Sequence, residues 1–331
     1  MNQNEIENED IQKVKKKKRV HPFIKGFLGC IIVVVLVFCA AGFAAGGVLH
    51  GKLNYEKSDT FSQEPFQEDG VKNILLIGND SRTEGTDGRS DAMILVSISS
   101  KTKSIHMTSI LRDIYVEIPG HDGNRLNAAY AFGGPELLME TLKLNFGIEV
   151  NRYALVNFQA FANLVDAVGG VDLEVTNEEV QYINGYLVEY NQLEGKPEGT
   201  DYLDSSLSGE IHLNGPQALA YCRNRYIGTD FARTERQRKV LTAAMKSAPL
   251  ALATNGGELI DGVLSNVTTN LSQSELNGLI LQAPSMLTYD LVSASIPLDG
   301  TYSSVTIRGM AVLEVDFEAN KEYIQTEIYG K

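Results

Sequence analysis

The chain has 331 residues, of which 43% are hydrophobic and 21% charged, and its 29 Lys and Arg against 42 Asp and Glu give a net charge of −13. This composition is typical of a globular protein and not of a disordered one, and the acidity argues against a nucleic acid partner, because binding to phosphates depends on Lys and Arg. Only three cysteines are present, and Cys222 alone lies outside an apolar N-terminal run, which excludes a disulfide framework.

An apolar segment near the N-terminus predicts a membrane span. No Asp, Glu, Lys or Arg occurs between Lys25 and Lys52, and the stretch from Phe27 to Leu49 is long enough, at about 1.5 Å per residue, to cross a hydrocarbon layer of about 30 Å. The basic cluster Lys15–Arg19 precedes this stretch and is expected to stay in the cytoplasm. The alternative is a cleaved signal peptide, whose apolar region is usually shorter.

This topology divides the chain into four parts. We expect a basic cytoplasmic tail over residues 1–22, a transmembrane helix over 23–49, an extracellular tether over 50–70 and an external domain over 71–331. The protein is then a single-pass protein of the cell membrane, in contact with membrane lipid, with its N-terminus inside and its domain outside.

Apolar strands alternate with amphipathic helices from about residue 71. The first half predicts strands and helices in the order strands Asn73–Ile77, Ala92–Ser99 and Ser104–Ser109, helix Pro135–Phe146, strand Tyr153–Phe158, helix Gln159–Val168 and strand Val171–Val175. Residues 176–212 are polar and poorly periodic, and we expect an excursion over the surface there. The second half predicts helices Pro216–Tyr221, Arg233–Ser247 and Ser274–Gln282, then strands Asp290–Ile296 and Ser304–Asp316. This pattern indicates a single layered α/β domain.

Several common catalytic sites are excluded by the motifs that the sequence lacks. The five histidines are scattered, no pair has H-x-x-x-H spacing, and neither G-x-S-x-G nor a Walker loop occurs. Cys222 has no evident histidine partner and is interpreted as a small buried residue.

Arginines recur in short segments at the ends of predicted strands and helices, and in four of the seven segments an aspartate accompanies the arginine. The segments are GNDSR (78–82), GRSD (88–91), SILRD (109–113), NRLN (124–127), YCRNR (221–225), DFAR (230–233) and RQ (236–237). Ligands of open α/β sheets gather where strands end, so this many arginines in an acidic chain predict a bound polyanion. The alternative for any one pair is a surface salt bridge worth at most about 1 kcal/mol.

Phosphate is the anion that these residue types suit best. The arginine fork donates two parallel hydrogen bonds to phosphate oxygens. Arg233 and Gln237 are i, i+4 neighbours in the first turns of a predicted helix, where the dipole also favours an anion. Asp80 and Asp91 flank one connection between two strands and would suit Mg²⁺, although aspartates near a loop are also common turn formers.

The same segments resemble the LytR-CpsA-Psr family. The resemblance rests on seven stretches in order, NILLIGNDSR (73–82), GRSDAMILVSI (88–98), SILRDIYVEIPG (109–120), NRLNAAYAFGG (124–134), LVDAVGGVDLEV (164–175), LNGPQALAYCRNR (213–225) and DFARTERQRKVL (230–241). It implies that 71–331 is a catalytic domain with a central mixed β-sheet flanked by helices.

The resemblance also implies an activity. Such proteins are phosphotransferases that move a glycopolymer, such as teichoic acid or capsule, from a polyprenyl pyrophosphate carrier onto peptidoglycan at the outer membrane face. The acceptor is a hydroxyl of muramic acid, and the cofactor is Mg²⁺, for which Mn²⁺ could substitute. The alternatives left open are a hydrolase that cleaves the same lipid-linked polymer and a membrane-anchored envelope regulator without enzymatic activity.

Site residues follow from the family pattern. Asp80 and Asp91 are expected to hold the metal, and the residues expected to surround the pyrophosphate are Arg89, Arg112, Arg125, Arg223, Arg225, Arg233 and Gln237. Asp91, Arg112 and Arg223 are the expected catalytic residues, and Arg82, Asp113 and Asp230 are expected to orient them. Two departures are Leu111, where proline is common, and Arg125, where lysine is usual.

Overall fold

The computed structural model describes residues 50–51, 53–58, 60–61, 64–79, 90–224, 226–228, 231–240, 243–244, 247, 267–286 and 288–331. The predicted cytoplasmic tail and transmembrane helix, 1–22 and 23–49, lie outside these residues. Among the residues described, no helix combines the length and the apolar character that crossing a bilayer requires.

The described residues form fourteen strands and a series of helices. The strands are β1 Asn54–Tyr55, β2 Gln67–Glu68, β3 Val71–Asn79, β4 Ser90–Ser99, β5 Ser104–Ile110, β6 Tyr115–Val116, β7 Asn124–Arg125, β8 Tyr153–Asn157, β9 Val171–Val175, β10 Gly209–Leu213, β11 Val267–Thr269, β12 Asp290–Ile296, β13 Tyr302–Ile307 and β14 Met310–Val315. The helices are α1 Leu126–Phe146, α2 Phe158–Ala167, α3 Asn177–Leu193, α4 Gly215–Arg223, α5 over 231–240, α6 Gln273–Met286 and α7 Phe317–Tyr323, which continues into a π-helix over Ile324–Ile328.

A central mixed sheet of eight strands organises the molecule. Its order is β1-β11-β8-β3-β4-β5-β12, with β2 paired to β3. Strand β3 is parallel to β8, β5 is parallel to β12, and β4 runs antiparallel to both β3 and β5. The chain therefore has the mixed α/β architecture that the resemblance implied.

Helices cover both faces of this sheet, because apolar side chains alternate along its strands. Ile74 belongs to a core cluster with residues of α2, α3 and α4, such as Val165 and Ile183. Its neighbour Leu75 belongs to a second cluster on the opposite face, with α1 residues such as Leu138. The sheet therefore has a hydrophobic core on each of its two faces.

Most predicted elements are confirmed. The strand predicted at Asp290–Ile296 has the same bounds in the structure, and the predicted helix at Pro135–Phe146 forms the second half of α1, after a break at Gly133 and Gly134. The late strand predicted over Ser304–Asp316 is a hairpin, β13 and β14.

The prediction for residues 176–212 was wrong. This segment contains α3, a helix of 17 residues, and the start of β10, which pairs with β9. Only a narrow stripe of α3 is apolar, with Val180, Ile183 and Leu187 buried, so the surrounding polar residues obscured the periodicity. A capping box between Thr176 and Glu179, visible as T-x-x-E, marks where the helix begins.

Candidate functional site

Four strands end at the same edge of the sheet. Strands β3, β5, β8 and β12 all run in one direction, and their last residues are Asn79, Ile110, Asn157 and Ile296. Strand β4 begins at this edge with Ser90, which pairs with Asn79. Of the predicted site residues, Asp91 is the second residue of β4 and Arg112 lies two residues after β5, so the topology brings the backbones of these two residues to one edge.

A β-bulge places Asp91 at this edge. Gly78 pairs with Ala92 and Asn79 pairs with Ser90, which leaves Asp91 as the extra residue of β4 without a partner opposite. Bulges of this kind are frequent next to active sites, because the extra residue lies outside the regular ladder. A Cβ atom on Gly78 would stand 3.0 Å from the Cβ of Ala92, so the close pairing at the bulge depends on glycine.

Asp113 lies between two arginines just beyond β5. Its Oδ2 is 3.4 Å from Nε of Arg112, and its Oδ1 is 3.5 Å from Nε of Arg125. Both arginines are partly buried, and their shared carboxylate limits the directions that the guanidinium groups can take. This geometry fits an orienting role for Asp113.

Arg125 is also attached to the β13–β14 hairpin. Its Nε and Nη2 donate to the carbonyl oxygen of Ala311 at 3.2 and 2.8 Å. The amide of Leu313 donates to the carbonyl oxygen of Asp113 at 2.9 Å, which holds the same hairpin against the segment after β5. Arg125 therefore has a structural contact in addition to the binding role expected for it.

Arg223 ends α4 and contacts α3. Its guanidinium carbon lies 5.5 Å from the centre of the Tyr186 ring, and the Tyr186 hydroxyl donates to the carbonyl oxygen of Arg223 at 2.8 Å. Tyr186 thus supports both the backbone and the side chain of this arginine. Tyr186 belongs to α3, a helix that was not predicted from the sequence.

Arg236 connects α5 to α3 and to the loop after Arg223. It donates from Nε to Oε1 of Glu179 at 2.9 Å, from Nη1 to the carbonyl oxygen of Asn224 at 3.2 Å and from Nη2 to that of Ile227 at 2.6 Å. Arg236 and Glu179 are both buried. Burial raises the pKa of Glu179, but hydrogen bonds from Thr176 and Arg236 outweigh it and leave that pKa below its usual range.

Arg238 connects α5 to the sheet edge where β5 and β12 end. Its Nη1 donates to Oγ of Ser109 and to Oγ of Ser295, both at 3.3 Å. Ser109 lies three residues before Arg112, so α5, which carries Arg233 and Gln237, lies at the edge that holds Arg112. Arg233 is buried and Gln237 is half-buried. Burial also lowers the pKa of Arg238 from its usual range.

Two of these arginines, Arg236 and Arg238, were given no individual role by the sequence, although RQ (236–237) was among the arginine segments. Arg236 and Arg238 lie in the run RTERQR (233–238), whose density of arginine was the available signal. Glu179 was also missed, because no local pattern links it to an arginine 57 residues away.

Several predicted residues lie outside the described part of the chain. These are Asp80, Arg82, Arg89, Arg225 and Asp230, together with the side chain of Asp91. Among the described side chains, no three from His, Cys, Asp and Glu come together in a way that could hold a metal ion. The metal site expected from Asp80 and Asp91 therefore stays a prediction.

A cavity of about 430 Å³ lies away from these arginines. Its walls include Glu56 and Tyr153, the first residue of β8, and the break at Gly133 and Gly134 in α1. The Tyr153 hydroxyl donates to Oε2 of Glu56 at 2.9 Å, and burial is the main cause that raises the pKa of Tyr153. None of the predicted site residues lines this cavity, so we place the candidate site at the arginine-rich edge.

Cys222 is buried next to that edge. It is free of any disulfide, and burial raises the pKa of its thiol well above the usual range. A thiol of this kind is a poor nucleophile, which confirms its interpretation as a small core residue.

Comparisons with known proteins all identify relatives of one family. The model of the LytR_cpsA_psr family matches residues 40–327. The polyisoprenyl-teichoic acid–peptidoglycan teichoic acid transferase TagU of Oceanobacillus iheyensis is 34% identical over 289 residues, which is 81% of this chain and 83% of that protein. Two solved structures are similar across 80% of this chain and 94% of theirs. One is described as TagT bound to LI-WTA, with 27% identity and a TM-score of 0.60, and the other is the LytR-CPS2A-psr family protein YwtF (TagT) with bound octaprenyl pyrophosphate lipid, with 26% identity and a TM-score of 0.55.

Proposed function

Since the chain belongs to the LytR-CpsA-Psr family, we propose that it is a phosphotransferase that moves a glycopolymer from a polyprenyl pyrophosphate carrier onto peptidoglycan. A relative of this chain is named as a teichoic acid transferase of this kind, and a structural neighbour holds octaprenyl pyrophosphate. We propose the teichoic acid class as the polymer and a muramic acid hydroxyl as the acceptor.

The convergence of arginines at one sheet edge is the observation that carries this function. Arg112 follows β5, Arg238 contacts Ser109 near the end of β5, and Arg236 on the same helix holds the loop after Arg223. Helix α5 therefore contacts both the segment that carries Arg112 and the segment that carries Arg223, which supports a shared site. Planar guanidinium groups bind phosphate oxygens through paired hydrogen bonds, so this region suits a pyrophosphate.

The proposed reaction exchanges one phosphorus–oxygen bond for another. The acceptor hydroxyl oxygen attacks the phosphorus that bears the glycopolymer, its proton leaves to solvent or a nearby base, and the bond to the second phosphate breaks. Polyprenyl phosphate departs and a phosphodiester links polymer to peptidoglycan. Arg112 and Arg223 stabilise the negative charge that grows on the phosphate oxygens, while Asp113 keeps Arg112 in position.

We propose that Asp80 and Asp91 hold a magnesium ion. In the sequence Asp80 comes directly after the last residue of β3, and Asp91 is the second residue of β4, at the bulge beside the Asn79–Ser90 pair. Mg²⁺ prefers a few carboxylates together with substrate phosphate oxygens. When bound there, the ion would neutralise charge on the pyrophosphate. Asp91 is then poorly suited to act as the base.

An arginine variant tests the assignment. In cells without paralogues, we expect the Arg112→Ala/Arg223→Ala double variant to lose attachment of polymer to the wall, measured as polymer phosphate covalently bound to purified peptidoglycan. Arg308→Ala is a matched control, because Arg308 is 57% exposed and paired with the exposed Asp122. Normal attachment in the double variant would refute the assignment, and release of free polymer by the unaltered protein would instead indicate a hydrolase.

The location at the membrane is part of the same proposal. A membrane anchor over residues 23–49 would hold the domain beside its lipid carrier, with the basic cluster Lys15–Arg19 inside the cell. Protease treatment of intact protoplasts should then remove residues 60–331. Complete protection of the domain would contradict this orientation.

A further inference from the structure

An exposed aromatic pair lies beside Arg223. Tyr226 is 75% exposed, more than any other large hydrophobic side chain in the part of the chain that the structure describes. Its ring stacks on that of Tyr182 in α3, with the centres 5.4 Å apart and the planes 7° from parallel. One flat face of Tyr226 is therefore covered by Tyr182, and the rest of the ring meets solvent.

The backbone that presents Tyr226 is fixed on both sides. Oδ1 of Asn224 accepts hydrogen bonds from the amides of Tyr226 and Ile227, at 3.0 and 3.2 Å. The carbonyl oxygens of Asn224 and Ile227 accept hydrogen bonds from the buried Arg236. These hydrogen bonds hold the backbone in a turn that keeps Tyr226 exposed. An aromatic side chain is otherwise more stable when it is buried.

The Tyr182–Tyr226 pair lies about one turn of α3 away from Tyr186, the residue that contacts Arg223. Tyr182 stacks on Tyr226 and Tyr186 contacts the Arg223 guanidinium, and these two tyrosines are i, i+4 neighbours on α3. Such neighbours are about 5–6 Å apart at their Cβ atoms. Tyr226 and Arg223 therefore contact the same face of α3, so a sugar bonded to a pyrophosphate at Arg223 would lie on the side of the helix where Tyr226 is exposed.

We propose that Tyr226, backed by Tyr182, is a platform for the pyranose sugar that is bonded directly to the pyrophosphate of the carrier. One face of a pyranose carries C–H groups with partial positive charge, and these pack favourably on the negative face of an aromatic ring. A prenyl tail would instead need an enclosed apolar channel, which this exposed ring does not offer. The assignment rests on the proposed function, because it takes Arg223 as a ligand of the pyrophosphate.

Two carrier probes separate sugar recognition from pyrophosphate binding. The full-length chain in detergent is titrated with bare polyprenyl pyrophosphate and with polyprenyl pyrophosphate that carries one N-acetylglucosamine. We expect Tyr226→Ala to weaken binding of the sugar-bearing probe about tenfold and binding of the bare probe less than twofold. Tyr226→Phe keeps the aromatic face and should bind both probes as the unaltered chain does. Phe132→Ala is a control, because Phe132 is also an exposed aromatic residue but lies in α1.

Three results would overturn the assignment. They are equal weakening of both probes, unchanged binding of both probes, and a change confined to the KM for peptidoglycan, which would place the acceptor on the platform. Failure of the unaltered chain to bind the bare probe would refute the proposed function itself, and the sugar platform with it. Loss of sugar recognition with intact binding of the bare probe is the outcome that supports the platform.

Discussion

Nε of Arg236 donates a hydrogen bond to Oε1 of Glu179 at 2.9 Å, and these two residues, 57 positions apart in sequence, join α5 to α3. The same guanidinium group holds the carbonyl oxygens of Asn224 and Ile227. Because Arg236 is only 5% exposed, its charge is compensated almost entirely by these contacts. Through Arg236, a carboxylate on α3 is thereby linked to the backbone at Asn224 and Ile227.

Removal of one partner should destabilise the protein strongly. We expect Arg236→Met to lower the free energy of unfolding by about 3–5 kcal/mol, since it leaves Glu179 buried without its counter-charge. The Glu179→Met/Arg236→Met double variant should recover part of this loss. Urea unfolding provides the measurement, and Lys239→Met is the control, because Lys239 pairs with Glu235 on the exposed side of α5. Equal losses in Arg236→Met and Lys239→Met would contradict this account.

Lysine should replace Arg125 better than it replaces Arg112. Two N–H groups of Arg125 donate hydrogen bonds to the carbonyl oxygen of Ala311, and a lysine at this position can keep part of that contact. We expect Arg125→Lys to keep transfer within about fivefold and Arg112→Lys to lose about a hundredfold, because Arg112 is the proposed catalytic arginine and lysine cannot replace its paired bonds to phosphate. The transfer rate with saturating lipid-linked polymer is the measurement. A greater loss in Arg125→Lys would reverse the two roles.

The two aspartates should set the requirement for magnesium. Asp80→Asn and Asp91→Asn preserve size but weaken a hard oxygen ligand, so each should raise the Mg²⁺ concentration for half-maximal transfer about tenfold or more. Asp122→Asn serves as the control, because Asp122 is exposed and lies in the segment before β7. Transfer that persists in EDTA, or an unchanged magnesium dependence in both variants, would exclude this site.

A methyl group at position 78 should disturb the β-bulge. Gly78→Ala brings two Cβ atoms to about 3.0 Å, and we expect a loss of about 1–3 kcal/mol in the free energy of unfolding. Ala92→Gly removes the opposing methyl group, so the double variant should recover most of the loss. Urea midpoints of the two single variants and the double variant measure this coupling. Additive losses would show that the two positions do not press on each other.

His106 should make stability depend on pH. Burial lowers the pKa of His106 from 6.5 to about 4, so between these pH values the unfolded chain binds a proton that the folded chain does not. The free energy of unfolding therefore falls as pH decreases from about 6.5 to about 4, by up to about 3 kcal/mol from this residue. His106→Gln can still bond to Ser104, which lies 2.9 Å from Nε2, and should flatten the pH profile. Parallel profiles for the two proteins would argue against titration of His106.

Local sequence patterns predicted the strands of this fold but few of the tertiary contacts that hold its elements together. The buried strand β4 contains the apolar run Ala92–Val96, which is typical of a strand inside a sheet, so its position could be predicted from the sequence. In α3 only three of the buried positions are apolar, and their polar neighbours obscured the helical period. Partners such as Glu179 and Arg236, or Tyr182 and Tyr226, are set by tertiary packing, which no local pattern encodes.

In the candidate site, too, some features follow from local sequence and others only from tertiary packing. The strand ends that carry Arg112 and Asp91 were predicted from the rule that ligands gather where strands end. The attachment of Arg125 to Ala311 and of Arg238 to two serines depends on how a hairpin and a helix dock, and was not predicted.

The two carbonyl contacts of Arg236 mean that the loop around Tyr226 acquires its order during folding and not on encounter with substrate. Fixing a backbone costs about 1–2 kcal/mol of conformational entropy per residue, and here that cost falls on the folding reaction. Binding of the pyrophosphate by the arginines then does not have to offset this entropy cost, so the same interactions give a higher affinity and a faster reaction. This is the advantage of a preorganised site.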